Sequence, residues 1–213
     1  MGPGGAEPGW VPGRATRRNG PRPDAVELSS IPHEAEMKRS FPLSRVYRLL
    51  EPGPVVLVTT SRAGRPNVMP MSWHTMIDFE PPIVGCVISD RSHTFGILKA
   101  TRECVINIPT VELARKVVGC GDVSGRRVDK FKTFRLTPVP ASRVEAPLVD
   151  ECYASLECKV IDASLAARYD LFILEVVKAW IDPSRKHPKT IHHLGRGTFM
   201  VAGRTIKLPS TAK

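Results

Sequence analysis

Short apolar runs rich in β-branched residues recur along the chain, each closed by proline, glycine or a polar cluster. Pro54-Val55-Val56-Leu57-Val58-Thr59-Thr60 is the clearest, because branching at Cβ stiffens the side chain and suits a pleated surface. Ser61 to Asn67 reads as a turn and Val68 to Met76 as the returning strand. Pro81-Pro82 breaks that strand, and Ile83 to Ser89 follows as a buried one. Glu103 to Ile108, residues 154–165 and Leu171 to Ile181 are further strands, and residues 197–202 a last short strand or edge. Short helices are expected at Thr94 to Ala100, with Ser92 or His93 near its cap, and at Thr110 to Val118, with Thr110 as N-cap and Gly119 as stop. Residues 120–130 read as a glycine-containing loop. Many short strands, frequent turn signals and few helices predict a mainly β fold closed into a barrel.

The length of 213 residues suits one domain with a sizeable core. Residues 1–36 stand apart. They are rich in Gly, Pro and Arg without periodicity, a composition that buries too little surface to order itself. They are read as a disordered basic head, with the folded domain at 37–213. Met37 opens the more regular part and is an alternative start for the native chain, which N-terminal sequencing would decide. The formal net charge is +10. Much of it is local, with Arg14, Arg17, Arg18 and Arg22 in the head and Arg204, Lys207 and Lys213 at the tail. The middle mixes signs, including Glu151, Glu157 and Asp162, which reads as a solvated surface. Five cysteines, an odd number with no C-x-x-C, indicate a reduced, cytoplasmic protein rather than a disulfide scaffold. Cys86 and Cys104 fall in apolar runs, whereas Cys120 is expected in a loop and exposed. No stretch is apolar enough to span a bilayer, and the head lacks the apolar core of a secretory signal.

Two polar segments flank the buried run Ile83 to Ile88. The first is Met71-Ser72-Trp73-His74-Thr75-Met76 and the second Ser89-Asp90-Arg91-Ser92-His93-Thr94. A core strand needs neither. The second offers hydroxyls, a guanidinium and an imidazole just before a helix, whose first N–H groups and dipole favour an anion. Arg binds phosphate through paired hydrogen bonds. A plain strand-to-helix turn capped by Ser92 accounts for the same residues. The first segment sets an indole and polar groups beside strand backbone, which suits a flat heterocycle, or an ordinary strand with a half-buried Trp73. Taken together, the two ends describe a mononucleotide lying across a barrel. Other chemistries have less support. His192 and His193 are adjacent, so on a strand they diverge rather than converge on a metal. No G-x-S-x-G, P-loop or G-x-G-x-x-G pattern is present. A basic barrel binding nucleic acid would present a stacking face of aromatics, but these make up 6% of the chain and are scattered.

The run NVMPMSWHTMIDFEPPIVGCVISDRSHTFGILKATRECVINIP resembles the flavin reductase-like, FMN-binding split-barrel family, in particular its flavoredoxin-like members. GRRVDKF at Gly125 to Phe131, Ala146-Pro147-Leu148 with Glu151-Cys152, LFILEVVKAWID, and His192 to Phe199 extend the resemblance over about residues 40 to 208. The resemblance implies a split β-barrel homodimer with non-covalent FMN. It places Met71, Ser72, Trp73 and His74 at the isoalloxazine, and Ser89, Arg91, Ser92 and Thr94 at the phosphate. Lys130 and Phe131 follow a loop that closes over the flavin. His192, His193 and Arg196 fall where nicotinamide or a partner would approach. The activity implied is hydride transfer from NAD(P)H with electrons passed to flavin, iron or a partner, or else an FMN electron carrier reduced by a protein donor. Neither role calls for a membrane or nucleic acid.

Overall fold

The computed structural model describes residues 38–46, 54–195 and 197–209; the head at 1–36 lies outside them. Strands β1 (Arg39–Phe41), β2 (Val56–Arg62), β3 (Arg65–Met71), β4 (His74–Phe79), β5 (Pro82–Val87), β6 (Glu103–Ile108), β9 (Ala154–Asp162) and β10 (Leu171–Ile181) form one antiparallel sheet. Its order is β3-β2-β6-β9-β10-β5-β4, with β1 paired to the far end of β10. The order begins and ends on consecutive strands. Only Ser72 and Trp73 join β3 to β4, and three peptide steps of 3.8 Å span at most ~11 Å. The sheet therefore curls until its two edges meet in sequence without pairing, leaving a seam at the first polar segment.

Strands β2 and β6 read as near-continuous apolar runs because both of their faces are covered. On β2, Val56 and Val58 enter an inner cluster with Val84, Ile106, Leu156 and Phe172, while Leu57 enters an outer one, as the two-residue strand period requires. The outer cluster is roofed by α2 (Ala114–Asp122), which follows a 3-10 turn at Val111–Leu113, and by α3 (Lys130–Phe134). Helix α1 (His93–Thr101) closes one end of the inner cluster with Leu98. Short pairs β7 (Pro138–Val139) with β8 (Leu148–Val149) and β11 (Ile191–Gly195) with β12 (Thr198–Val201) complete the fold, with the single-turn helix α4 (Ala166–Tyr169) before β10.

Several expectations need correction. The strand expected over Val68 to Met76 is two strands, because Ser72 and Trp73 carry the chain from one edge of the sheet to the other. The turn expected over Ser61 to Asn67 shrinks to Ala63-Gly64. Gly119 does not stop a helix; α2 runs through it to Asp122. The glycine serves close packing, since a Cβ there would lie 2.4 Å from the Phe134 ring. Thr110 does not cap the helix through its hydroxyl, which is bonded instead to the Glu112 carboxylate. Cys120 is buried inside α2 rather than exposed in a loop, and burial raises its thiol to about 11. Glu157 is fully buried, not part of a solvated surface. Its carboxylate accepts from Trp180 Nε1 at 2.7 Å, from the Arg143 N–H at 2.5 Å and from Ser142, the full pairing that a buried charge requires.

Candidate functional site

The seam is where α2 lies against β3, and two clefts open beside it. The first, about 280 Å³, has apolar walls from Val55, Pro70, Met71, Val117 and Phe199, with Ser72, Asp122 and His193 as polar groups. Pro70 and Met71 come from the end of β3, an edge strand with no strand partner on its outer side among the described residues. His193 and Phe199 come from the β11–β12 hairpin, where they are register partners with ring centroids 5.2 Å apart. The hairpin is tied to the barrel by the Val55 N–H, which donates to the Ile191 carbonyl at 2.7 Å.

The second cleft, about 310 Å³, is polar and cationic. Arg91, Ser92 and Thr94 line it from the start of α1, Ser124 and Arg127 from the loop after α2, and Lys130 from the start of α3. The two clefts share Gly121 and Asp122, so they form one groove with an apolar end and a cationic end. Helix α1 is capped by Ser92, whose hydroxyl accepts from the Phe95 N–H at 3.1 Å. Its first turn carries no acidic residue, and its leading N–H groups have no intrahelical acceptors. Lys130 is buried, its Nζ donating to the Cys120 carbonyl at 2.5 Å, and burial lowers its pKa. His93 is pushed down as well, first by desolvation and then by the charges of Arg126 and Lys130.

One buried contact positions Thr94 at the cationic cleft. Asn67 Nδ2 donates to Thr94 Oγ1 at 2.9 Å. Thr94, whose hydroxyl oxygen accepts from Asn67, lines the cationic cleft. Asn67 is itself wedged in place, since a Cβ on Gly125 would lie 2.0 Å from its Oδ1. That oxygen is buried without a partner.

The residues singled out from the sequence divide clearly. Met71, Ser72 and His193 line the apolar cleft, and Arg91, Ser92, Thr94 and Lys130 the cationic one. Ser89 is exposed and shapes the turn, accepting from the Ser92 N–H at 2.9 Å. Trp73 is 71% exposed and lines neither cleft. His74 donates through Nε2 to the Pro54 carbonyl at 2.7 Å, and burial lowers its pKa. Phe131 packs in the outer core and lines neither cleft. His192 bonds Thr190 at 3.2 Å, and Arg196 lies outside the described residues. Sequence reasoning missed Asn67, Ser124 and Arg127. A polar residue at a buried strand position was the available signal for Asn67.

Residues 47–199 match the family described as the flavin reductase like domain. The chain belongs to this family. The protein YddH of Escherichia coli (strain K12) is similar, 33% identical over 186 residues that cover 80% of this chain and 98% of YddH. An FMN-binding domain of a flavin reductases-like enzyme from Shewanella baltica OS155 has a similar structure, with a TM-score of 0.77 at 28% identity over 81% of this chain and 97% of that one. Flavoredoxin of Desulfovibrio vulgaris (Miyazaki F) follows with a TM-score of 0.69 at 25% identity, covering 75% and 92%. The fold is thus the split barrel that the resemblance implied. Membership of the family makes redox chemistry the class of activity. Among the described residues no helix is long and apolar enough to cross a membrane.

Proposed function

We propose that the groove binds FMN and that the protein is an NAD(P)H-dependent flavin reductase-like oxidoreductase. The observation that carries this reading is the division of one continuous groove into an apolar end and a cationic end. A flat ring with a phosphate tail matches that division, and small-ligand sites combine apolar walls with a few placed polar groups in this way. Bound FMN would supply the hydride and electron chemistry, accepting from a reduced nicotinamide and passing electrons to flavin, iron or a partner protein.

The chain's own residues bind and orient. Arg91, Arg127 and Lys130 neutralise the phosphate, and the Thr94 hydroxyl, turned by Asn67, donates to one of its oxygens. Val117 and Phe199 cover the ring and exclude water. Met71 and Ser72 present edge-strand backbone to its polar rim. His193, at the mouth of the apolar cleft, is placed to meet an incoming nicotinamide or partner. No side-chain acid or base is assigned, because hydride transfer to a flavin requires none. A homodimer belongs to the same reading, supported by the exposed Trp73 and Ile77 beside the seam.

Similarity to flavoredoxin favours a second reading, an FMN electron carrier reduced by a protein donor. Adding NADH and then NADPH to the FMN-loaded protein without oxygen separates the two. Bleaching of the flavin bands is expected for the reductase. Bands that persist with both nucleotides would contradict it in favour of the carrier.

A further inference from the structure

A pocket of about 180 Å³ lies where the chain entering β1 meets the β7–β8 pair and the end of β10. It shares no lining residue with the two clefts of the groove. Val139, Pro140, Leu148 and the Trp180 indole form its apolar walls, with Lys38 and Asp150 as the charged groups among its described residues. The walls are fixed. Trp180 Nε1 donates to the buried Glu157 carboxylate at 2.7 Å, and Lys178 Nζ lies 4.8 Å from the indole centroid. Leu148 packs with Val105 and Ala146 in a small cluster of their own. Ser40 pairs with Trp180, which sets Lys38, two residues earlier, at the pocket.

Lys38 is the anomalous group. Its Nζ donates to the Val149 carbonyl at 2.7 Å. That is its one side-chain hydrogen bond among the described residues, and it makes no ion pair with any of them. An ammonium has three donors, and a charge drawn out of water is ordinarily paired. The half-buried, unpaired amine therefore suits the neutral form better than an exposed lysine does. Burial lowers its pKa, against the opposing pull of Cys152, Asp150, Glu151 and Asp182. A neutral lysine amine in an apolar pocket is a nucleophile toward carbonyl carbon. The neighbouring thiol does not compete, because Cys152 is buried and its pKa is pushed up to about 12.

We propose that this pocket is a carbonyl site, in which Lys38 forms an imine with a short apolar aldehyde. The Nζ lone pair attacks the carbonyl carbon and the C–N bond forms. The oxygen gains protons and leaves as water, and the nitrogen is left doubly bonded to carbon. Amine and aldehyde give imine and water, with no oxidant or reductant consumed. Asp150 lines the same pocket, and its carboxylate carries the proton from nitrogen to the departing oxygen. Val139, Leu148 and Trp180 hold the apolar body of the aldehyde, and the small volume restricts it to a short chain. The site is independent of the flavin groove.

The test is reductive trapping on the full chain with butanal and sodium cyanoborohydride near neutral pH, with each lysine followed by peptide mass mapping. Exposed Lys99 and Lys159 serve as internal references. Lys38 is expected to be alkylated about tenfold faster than either, equivalent to ~1.4 kcal/mol in barrier, with a rate that saturates in butanal. Glyoxylate, an aldehyde carrying a charge, is expected to show no such preference. Asp150→Asn should slow trapping at Lys38 about tenfold and leave Lys99 unchanged, with near-UV circular dichroism as the check on folding. Trapping of Lys38 no faster than the exposed lysines would overturn the site, and this comparison needs no variant. A preference for glyoxylate at Lys38 would also overturn it, in favour of an anion pocket. Unchanged trapping in folded Asp150→Asn would overturn the proton-carrying role of Asp150.

Discussion

At the residue scale the proposed site depends on a few placed polar groups. Arg91 is exposed at the lip of the cationic cleft and supports nothing in the core. Replacing it by alanine removes a charge-assisted hydrogen bond, worth ~1.5–3 kcal/mol, so FMN affinity should fall about 10- to 100-fold with the unfolding midpoint unchanged. Gly125→Ala acts on the same phosphate through Asn67. Its Cβ collides with Oδ1, which turns the amide away from Thr94. FMN affinity should fall about tenfold, the effect of one hydrogen bond of ~1.4 kcal/mol, measured by the same titration. His74 makes a pH prediction. Burial holds its pKa below the ordinary imidazole value of 6.5, so the folded chain resists a proton that the unfolded chain takes up. Its contribution is therefore fully present above about pH 6.5 and lost as pH falls below it. Urea midpoints at pH 7.5 and 5.5 should separate more for the wild type than for His74→Gln; equal separation would remove His74 from the explanation.

At the scale of elements, the decisive feature is the junction of β3 and β4. A two-residue link that changes sheet edge is invisible to periodicity, because Val68 to Met76 remains strand-like on both sides of it. Period and β-branching are local properties, whereas the identity of the edge strands depends on the closure of the whole sheet. Glu103–Ile108 and Leu171–Ile181 were legible to the residue, since each is a long β-branched run between clear breaks. Helix α2 was misjudged because glycine was read as a stop. Gly119 is retained for packing against Phe134, and Gly119→Ala should overpack that contact. Such a change costs ~1–3 kcal/mol, and chemical denaturation should show it as a lower midpoint with unchanged slope. The inner core is ordinary by comparison. Phe172 is fully buried, edge-on to Phe95 with centroids 5.2 Å apart. Phe172→Ala should cost ~3–5 kcal/mol, read from the same denaturation curves.

At the scale of the molecule, the sheet brings together segments that the sequence keeps apart. Met71 and Ser72, residues 91–94, Val117, Gly121, Ser124, Arg127 and Lys130, and His193 and Phe199 meet along one groove. The two polar segments were recognisable in the sequence because polar side chains interrupt apolar strands. Ser124 and Arg127 were not, since nothing in a basic loop tells which charges turn toward a ligand. Trp73 and Ile77 leave apolar surface beside the seam. Sedimentation is expected to show a dimer, and Ile77→Asp to shift it toward monomer. In the proposed function the apolar and cationic ends of the groove together hold FMN. The most direct measurement of this is titration of the flavin-free protein with FMN against riboflavin, followed by quenching of flavin fluorescence. Saturable FMN binding is expected, with riboflavin at least tenfold weaker because it lacks the phosphate. Equal affinity for both would contradict the cationic end, and no binding of either would contradict the groove as a flavin site.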